Sequence, residues 1–167
     1  MANARRIRLE AEMPFREAAQ RTVQARGPEL LATVEAARQA DDIEALHDLR
    51  VAARRLRAVL EVYDQALPPK AHRRALKLVK ATGDASNAAR DLDVQIAFLE
   101  EFAAAATPSD RPGVQNLIKE LQRLRAAAAA ALHPALDRLD RHGELERAIG
   151  ALVPPPPPAA PPADATA

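Results

Sequence analysis

The sequence contains no cysteine and no tryptophan, and aromatic residues make up only 2% of its 167 residues. Without cysteine, the chain can form no disulfide framework, no thiolate metal site and no cysteine nucleophile, which suits a reducing compartment. With one tyrosine and three phenylalanines, it offers few side chains on which the bases of single-stranded nucleic acid could stack. The composition therefore argues against a disulfide-bonded secreted protein and against a base-stacking surface.

Motifs typical of many enzymes and membrane proteins are also missing. The chain has only five glycines and no glycine-rich phosphate loop, and its four histidines do not have the spacing of a zinc site. No apolar run is long enough to span a bilayer, and the first 13 residues lack the apolar core of a signal peptide. We therefore expect a cytoplasmic protein with no membrane partner, no metal, no cofactor and no catalytic residues.

The residues that are abundant favour α-helix. Hydrophobic residues make up 48% of the chain and are mostly alanine, leucine and valine; alanine and leucine, with arginine and glutamate, are strong helix formers. Apolar residues recur at helical spacing in four segments, and short stretches with proline or acidic residues separate these segments. The segments cover about 15–39, 43–66, 70–106 and 112–152. They predict an all-α protein, an antiparallel helical bundle of about four long helices within residues 12–152.

Several residues should interrupt or limit these helices. We expect a kink or break at Gly27-Pro28, a weak point at Gly83 and a further break at Gly143. Asp41-Asp42 is suited to cap the second helix. Residues 1–11 are predicted to be flexible. The last residues, 153–167, read VPPPPPAAPPADATA, a proline- and alanine-rich composition that predicts a disordered tail.

A line of basic residues carries the clearest functional signal. At about 100° per residue, one arc of the second helix carries a leucine-rich stripe, and a basic arc lies beside it. The basic arc consists of His47, Arg50, Arg54 and Arg57. Arginine suits bidentate contact with phosphate or carboxylate, because its guanidinium is a planar fork of donors. The arc therefore predicts an anion-binding face, and an ordinary solvated charged face is the alternative.

The charge around this arc is concentrated. Between Arg50 and Lys80 the sequence has nine lysines and arginines against two acids, Glu61 and Asp64, a local charge of +7 in a chain whose net charge is +1. Arg73, Lys77 and Lys80 form a second basic face on the third helix. A nearly neutral protein with one basic zone has the charge distribution expected of a polyanion-binding protein.

Two motifs resemble a known family. HDLRVAARRLRAVL at 47–60 and NAARDLDV at 87–94, with LP at 67–68 between them, resemble the CHAD domain, the conserved histidine α-helical domain. Its pattern is roughly H-x-x-R-V-x-x-R-R-x-R followed later by R-D-x-D-V, and this chain matches both at every position. The resemblance implies an all-helical protein that binds inorganic polyphosphate through a basic surface, in some members at polyphosphate or polyester granules.

The same resemblance implies a ligand set. The residues that it assigns to polyphosphate are His47, Arg50, Arg54, Arg55, Arg57, Arg90, Lys77 and Lys80. Asp91 and Asp93 are interpreted as structural ion-pair residues that hold arginines, with Arg55, Arg90 or a helix N-terminus as their partners. A metal-bridging role on the phosphate is the minor alternative for these two acids.

Two departures from the family pattern bear on this interpretation. Full-length members resemble two four-helix halves related by a pseudo-two-fold axis, and this chain covers the first half, about residues 12–152. We therefore expect a homodimer. The glycine that the family usually has a few residues before the Arg-Asp pair is replaced here by Asn87, with Gly83 further upstream. The sequence thus predicts a non-enzymatic polyphosphate-binding module; the alternatives are a nucleic-acid-associated helical protein, for which the sequence gives little support, and a scaffold for a protein partner.

Overall fold

Five α-helices form the part of the chain that the computed structural model describes, residues 6–38 and 43–153. In chain order they are α1 (Phe15–Arg38), α2 (Ile43–Val62), α3 (Pro69–Ala105), α4 (Arg111–Leu139) and α5 (Glu144–Leu152), with a one-turn 3₁₀ helix, Asp64–Ala66, between α2 and α3. No strand occurs within these described ranges. The prediction of an all-α bundle is confirmed. The predicted cap at Asp41-Asp42, the start of the flexible N-terminus (1–5) and the tail from 154 onward lie outside the described residues.

Short connections make successive helices antiparallel neighbours. Helix α1 packs on α2, α2 on α3 and α3 on α4, and the short α5 packs on both α1 and α3. The core between them is built mostly from leucine and alanine, as the composition predicts. Its fully buried large side chains include Leu30, Leu46, Leu49, Leu56, Leu60, Leu78, Leu132 and Leu136.

Helix α1 continues through Gly27-Pro28, where the sequence predicted a kink or break. Pro28 and Gln24 are both exposed, so water can reach the carbonyl that loses its hydrogen bond to the missing Pro28 N–H. Gly27 is buried against Ile149 of α5, and a β-carbon at this position would collide with the Ile149 side chain. The glycine therefore permits a close approach of α1 and α5.

The other predicted weak points have different outcomes. Helix α3 is a single helix of 37 residues that passes through Gly83 without interruption. The neighbouring Thr82 and Ser86 are buried, so packing offsets the cost of about 1 kcal/mol that glycine carries inside a helix. Helix α4 ends at Leu139, and Gly143 has a left-handed backbone with φ of 57°. The break predicted at Gly143 is confirmed.

The difference in helix length gives the molecule a projecting part. At about 1.5 Å per residue, the 37 residues of α3 extend about 55 Å, whereas the 20 residues of α2 extend about 30 Å. Residues 94–124, the end of α3 and the start of α4, contribute nothing to the contiguous core cluster. We call this helical hairpin the arm. None of the described helices is both long and apolar enough to cross a bilayer.

A cationic groove as candidate functional site

An open groove of about 240 Å³ lies between α2 and α3, and its walls are strongly basic. Helix α2 contributes Arg50, Arg54 and Arg57, with His47 towards the end nearest the arm, and α3 contributes Lys80. Small and apolar residues line the remaining surface, together with Asp84 and Asn87: Val51, Ala53, Val79 and Gly83. The groove thus brings four permanent cations together against one carboxylate. We refer to it as the cationic groove.

The cationic groove follows from the two arcs of α2. Leu46, Leu49 and Leu56 are at most 1% exposed, because this stripe of α2 faces the core. Residues next to the stripe must then lie at the edge of the helix contact, where their long side chains reach solvent beside α3. The structure therefore places His47, Arg50, Arg54 and Arg57 together in one groove.

Arg55 is the member of the α2 motif that lies elsewhere. It is one residue after Arg54, about 100° further around the helix. It lines a second groove, between α1 and α2, with Glu29, Thr33 and Asp48. The structure does not bring Arg55 together with the other predicted ligand residues of α2.

Three hydrogen bonds and ion pairs fix the groove cations to different degrees. Arg50 Nε donates to Asn87 Oδ1 across 2.8 Å and joins α2 to α3. Arg57 Nε donates to Glu61 Oε1 at 2.8 Å, and Lys80 Nζ lies 3.9 Å from the same oxygen. Arg54 makes no ion pair or side-chain hydrogen bond with the described part of the chain. An incoming anion can therefore engage the whole guanidinium of Arg54 without displacing another contact.

The pKa shifts in the groove show where its charge is already compensated. The hydrogen bond from Arg57 lowers the pKa of Glu61, and the charges of Arg57 and Lys80 act in the same direction. Reciprocally, the bond to Glu61 raises the pKa of Arg57, and Asp84 adds to this shift. Both groups therefore stay ionised at neutral pH, and Glu61 offsets part of the charge at the end of the groove furthest from the arm.

The basic surface continues beyond the groove. A shallow depression on the outer face of α3 shares Lys80 and Asp84 with the cationic groove and adds Arg73 and Lys77. These positions follow helical spacing, so they form one face of α3. The predicted ligand residues Lys77 and Lys80 thus lie on one continuous path that leads out of the groove.

The second sequence motif lies past the end of the groove. Arg90 is half-buried and comes almost one turn after Asn87, the last α3 residue that lines the groove; Asp91 is exposed. Asp93 is buried, and its Oδ1 accepts a hydrogen bond at 3.0 Å from Arg125 Nε of α4. Its Oδ2 has no hydrogen-bond partner among the residues that the structure describes. Asp93 is therefore in an ion pair, but with an arginine of α4 and not with Arg55, Arg90 or a helix N-terminus.

Helix α3 also lines the groove with three residues that were not predicted as site residues from the sequence and that share one face with Lys80: Gly83, Asp84 and Asn87. With Lys80 they stand at i, i+3, i+4 and i+7, the spacing of one helix face. This signal was hidden because Gly83 was interpreted as a weak point in α3. Within residues 6–38 and 43–153, no group of three or more histidine, aspartate or glutamate side chains is placed to hold a metal ion.

Comparison with known proteins agrees with the two motifs. The family model of the CHAD domain matches residues 21–167, which is most of the chain and includes both the cationic groove and the Asp93–Arg125 pair. Comparison with curated proteins gave no match. On the extent of the family match, the chain belongs to the CHAD domain family.

Proposed function

We propose that this chain binds inorganic polyphosphate through the cationic groove and the adjoining basic face of α3, without catalysing a reaction. The observation that carries the proposal is the convergence of Arg50, Arg54, Arg57 and Lys80 on one open groove between two packed helices. Charge-assisted hydrogen bonds from such donors to phosphate oxygens are short and strong. Membership of the CHAD family is compatible with a polyphosphate-related function and supports the same ligand.

The shape of the site favours a thin polyanion over a nucleic acid duplex. The cations lie in a recess between α2 and α3, whereas helices that read duplex DNA present their side chains on an outer surface that enters a groove about 12 Å wide. Polyphosphate is a flexible chain with about one negative charge per unit, and it has neither bases to stack nor base edges to read. A basic groove without aromatic side chains matches this chemistry.

A pair of neighbouring substitutions tests the site. Arg54→Ala and Arg55→Ala each remove one positive charge from α2, but only Arg54 lines the cationic groove. A hydrogen bond to a charged group contributes about 1.5–3 kcal/mol, so Arg54→Ala should weaken polyphosphate binding roughly 10- to 100-fold in isothermal titration. Arg55→Ala should weaken it less than about threefold, through the general field alone. Equal losses in the two variants would show that net charge, and not the groove, determines binding.

Two further measurements separate the proposal from its alternatives. In the first, a polyphosphate chain and a DNA duplex of similar charge compete for the protein at physiological salt. The protein should bind the polyphosphate much more tightly than the duplex. Tighter binding of the duplex would assign the groove to nucleic acid. Purified protein incubated with polyphosphate should release no orthophosphate, and stoichiometric or greater release would refute the non-enzymatic part of the proposal.

The proposal includes the assembly and location expected from the resemblance. The chain would form a weak homodimer that long polyphosphate tightens, because a ligand that binds only the dimer shifts the equilibrium by mass action. It would reside in the cytoplasm, at polyphosphate or polyester granules. A fluorescent fusion whose granule signal disappears in the Arg50→Ala, Arg54→Ala double variant would support this location, and a uniform signal in both would contradict it.

A further inference from the structure

The arm carries a narrow stripe of exposed apolar side chains. Val94, Phe98 and Phe102 are 52%, 65% and 52% exposed, and their spacing of i, i+4 and i+8 places them on one face of α3. Two of the three phenylalanines in the chain are in this stripe. Large apolar side chains grouped on one exposed face are typical of an interaction surface, whereas isolated ones are ordinary. We call these three residues the arm stripe.

The arm stripe lies on the same face of α3 as the cationic groove. Phe98 follows Lys80 by 18 residues and Asn87 by 11, which at about 100° per residue returns close to the same direction around the helix. The face is therefore cationic where α2 flanks it and apolar where α3 continues into the arm. Whatever covers the arm stripe also lies at the end of the groove.

We propose that the arm stripe docks a second copy of this chain, with the two α3 helices antiparallel and a two-fold axis near Phe98. The stripe is symmetric in sequence, because Val94 and Phe102 each lie four residues from Phe98. An antiparallel copy aligned at Phe98 then places Phe98 against its own counterpart and Val94 against Phe102. This is the self-complementary pairing that an isologous interface requires.

The charges beside the stripe fit the same arrangement. Arg90 and Glu101 lie on the same flank of α3, about 80° and 60° from Phe98 in the same rotational sense. The two-fold axis keeps each flank on its own side, so Arg90 of one copy and Glu101 of the other come within about 7.5 Å along the helix axis. An arginine side chain can span that separation. The dimer would thus contain two symmetric Arg90–Glu101 ion pairs, and Arg90 would have a role outside the groove.

The exposed area predicts that this contact is weak. A phenylalanine side chain buries about 150–250 Å², so two that are 52% and 65% exposed offer roughly 200 Å² together. Stable interfaces bury about 800 Å² on each partner. The arm stripe supplies the apolar centre of a smaller interface, which should associate reversibly in the micromolar range. Tightening of the dimer by polyphosphate rests on the proposed function, whereas the contact between stripes does not.

Sedimentation velocity of the full chain without ligand, from about 1 to 500 µM, tests the contact. The parent should show a concentration-dependent dimer, and Phe98→Glu should weaken the dimer at least tenfold while the helical circular dichroism stays unchanged. Val62→Glu is the matched control, because Val62 is also 65% exposed but lies at the end of α2. A parent that is monomeric throughout, or a dimer that Phe98→Glu leaves intact, would overturn the proposal.

A charge exchange tests the register independently of the apolar contact. Glu101→Arg alone should weaken the dimer, because it places two arginines side by side; Arg90→Glu combined with Glu101→Arg should restore it. Failure of the second change to rescue the first would exclude the antiparallel alignment at Phe98.

Binding of a monomer to neutral phospholipid vesicles, lost in Phe98→Glu, would assign the stripe to a lipid surface instead. A monomer that still binds polyphosphate through Arg54 would overturn the dimer, here and in the proposed assembly, and leave the proposed binding of polyphosphate by the cationic groove standing.

Discussion

Arg50 of α2 donates from Nε to Oδ1 of Asn87 on α3, 2.8 Å away, and this hydrogen bond crosses the cationic groove at the end nearest the arm. The bond uses only Nε of the guanidinium. The two Nη groups remain available to an anion, and the bond to Asn87 on the opposite helix fixes the orientation of the guanidinium plane. A glycine at position 87 could not supply this orienting contact.

Asn87→Ala should therefore reduce affinity for polyphosphate without disturbing the fold. Releasing Arg50 restores rotamer freedom that the ligand must then remove, at about 0.5–1.5 kcal/mol for a long side chain, so affinity should fall roughly 2- to 10-fold in titration calorimetry. Asn116→Ala, at an exposed position of α4, is the control and should have no effect. Unchanged or tighter binding by Asn87→Ala would show that Asn87 restrains Arg50 from the ligand instead of orienting it.

Substitutions at Gly83 should separate helix stability from access to the groove. A β-carbon at Gly83 would meet no atom within 4 Å, so Gly83→Ala should raise the free energy of unfolding by roughly 0.5–1 kcal/mol, measured in urea. Gly83→Leu should place its side chain in the groove and weaken polyphosphate binding severalfold. Gly113→Leu, at another position with open space, should leave binding unchanged. A Gly83→Leu variant with full affinity would mean that the ligand does not approach this wall.

Local helix spacing is what made part of this molecule predictable. The arcs of α2 could be drawn from Leu46, Leu56 and Arg54 without any tertiary information, because both arcs belong to one helix. The partner of Asp93 could not be predicted in this way, since Arg125 lies 32 residues further along the chain and approaches Asp93 only when α4 folds back on α3. The weak point predicted at Gly83 was wrong, because the packing of a long helix outweighs the low helix propensity of a single glycine.

Loss of the ion pair between Asp93 and Arg125 should lower the free energy of unfolding more than loss of an exposed ion pair on α4. The Asp93 side chain is 6% exposed and that of Arg125 14%. Removing one partner of a buried pair leaves an uncompensated charge, so Arg125→Ala should lower the free energy of unfolding by about 3–5 kcal/mol. Asp93→Leu with Arg125→Leu should cost less than Arg125→Ala alone. If Arg125→Ala lowered the free energy of unfolding less than the double leucine substitution does, a structural role for this pair would be contradicted.

The exposed pair between Arg123 and Glu120 is the control for that comparison. Arg123 Nη1 lies 3.4 Å from Glu120 Oε2, and the Arg123 side chain is 81% exposed. Such pairs contribute about 0–1 kcal/mol, so Arg123→Ala should change stability little. The free energies of unfolding of the Arg125→Ala and Arg123→Ala variants can be measured by urea denaturation followed by circular dichroism.

The end of α1 is joined to the end of α4 by a clamp that acid should release. Arg38 Nη1 lies 2.7 Å from Asp137 Oδ1, and Nη2 lies 2.6 Å from Asp140 Oδ1. Burial raises the pKa of Asp140, but the hydrogen bond from Arg38, with that from the Arg141 backbone N–H, outweighs it and lowers the pKa below its ordinary value. A second carboxylate nearby, Glu144, also has a lowered pKa, because Arg138 donates to it.

The lowered pKa values determine the sign of the pH dependence. Near the ordinary aspartate and glutamate pKa values, about 3.9 and 4.3, the folded protein binds fewer protons than the unfolded chain, so stability rises with pH. The stabilisation from Asp140 and Glu144 should be complete above about pH 5. It should disappear as the pH falls through their folded-state pKa values, which lie below those ordinary values.

Arg38→Met tests this clamp, because it keeps most of the buried side-chain volume and removes the charge. At pH 7 the variant should lose about 1.5–3 kcal/mol of unfolding free energy, the usual contribution of a hydrogen bond to a charged group. As the pH falls through the lowered pKa of Asp140, that carboxylate becomes protonated in the parent too, so the difference in stability between the two proteins should shrink. Arg21→Met, which removes the exposed pair of Arg21 with Glu17, should follow the parent at every pH because both of its side chains are nearly half exposed. Urea unfolding at pH 7, 5 and 3 makes the comparison, and a constant difference between Arg38→Met and the parent across these values would show that Arg38 stabilises the fold by packing alone.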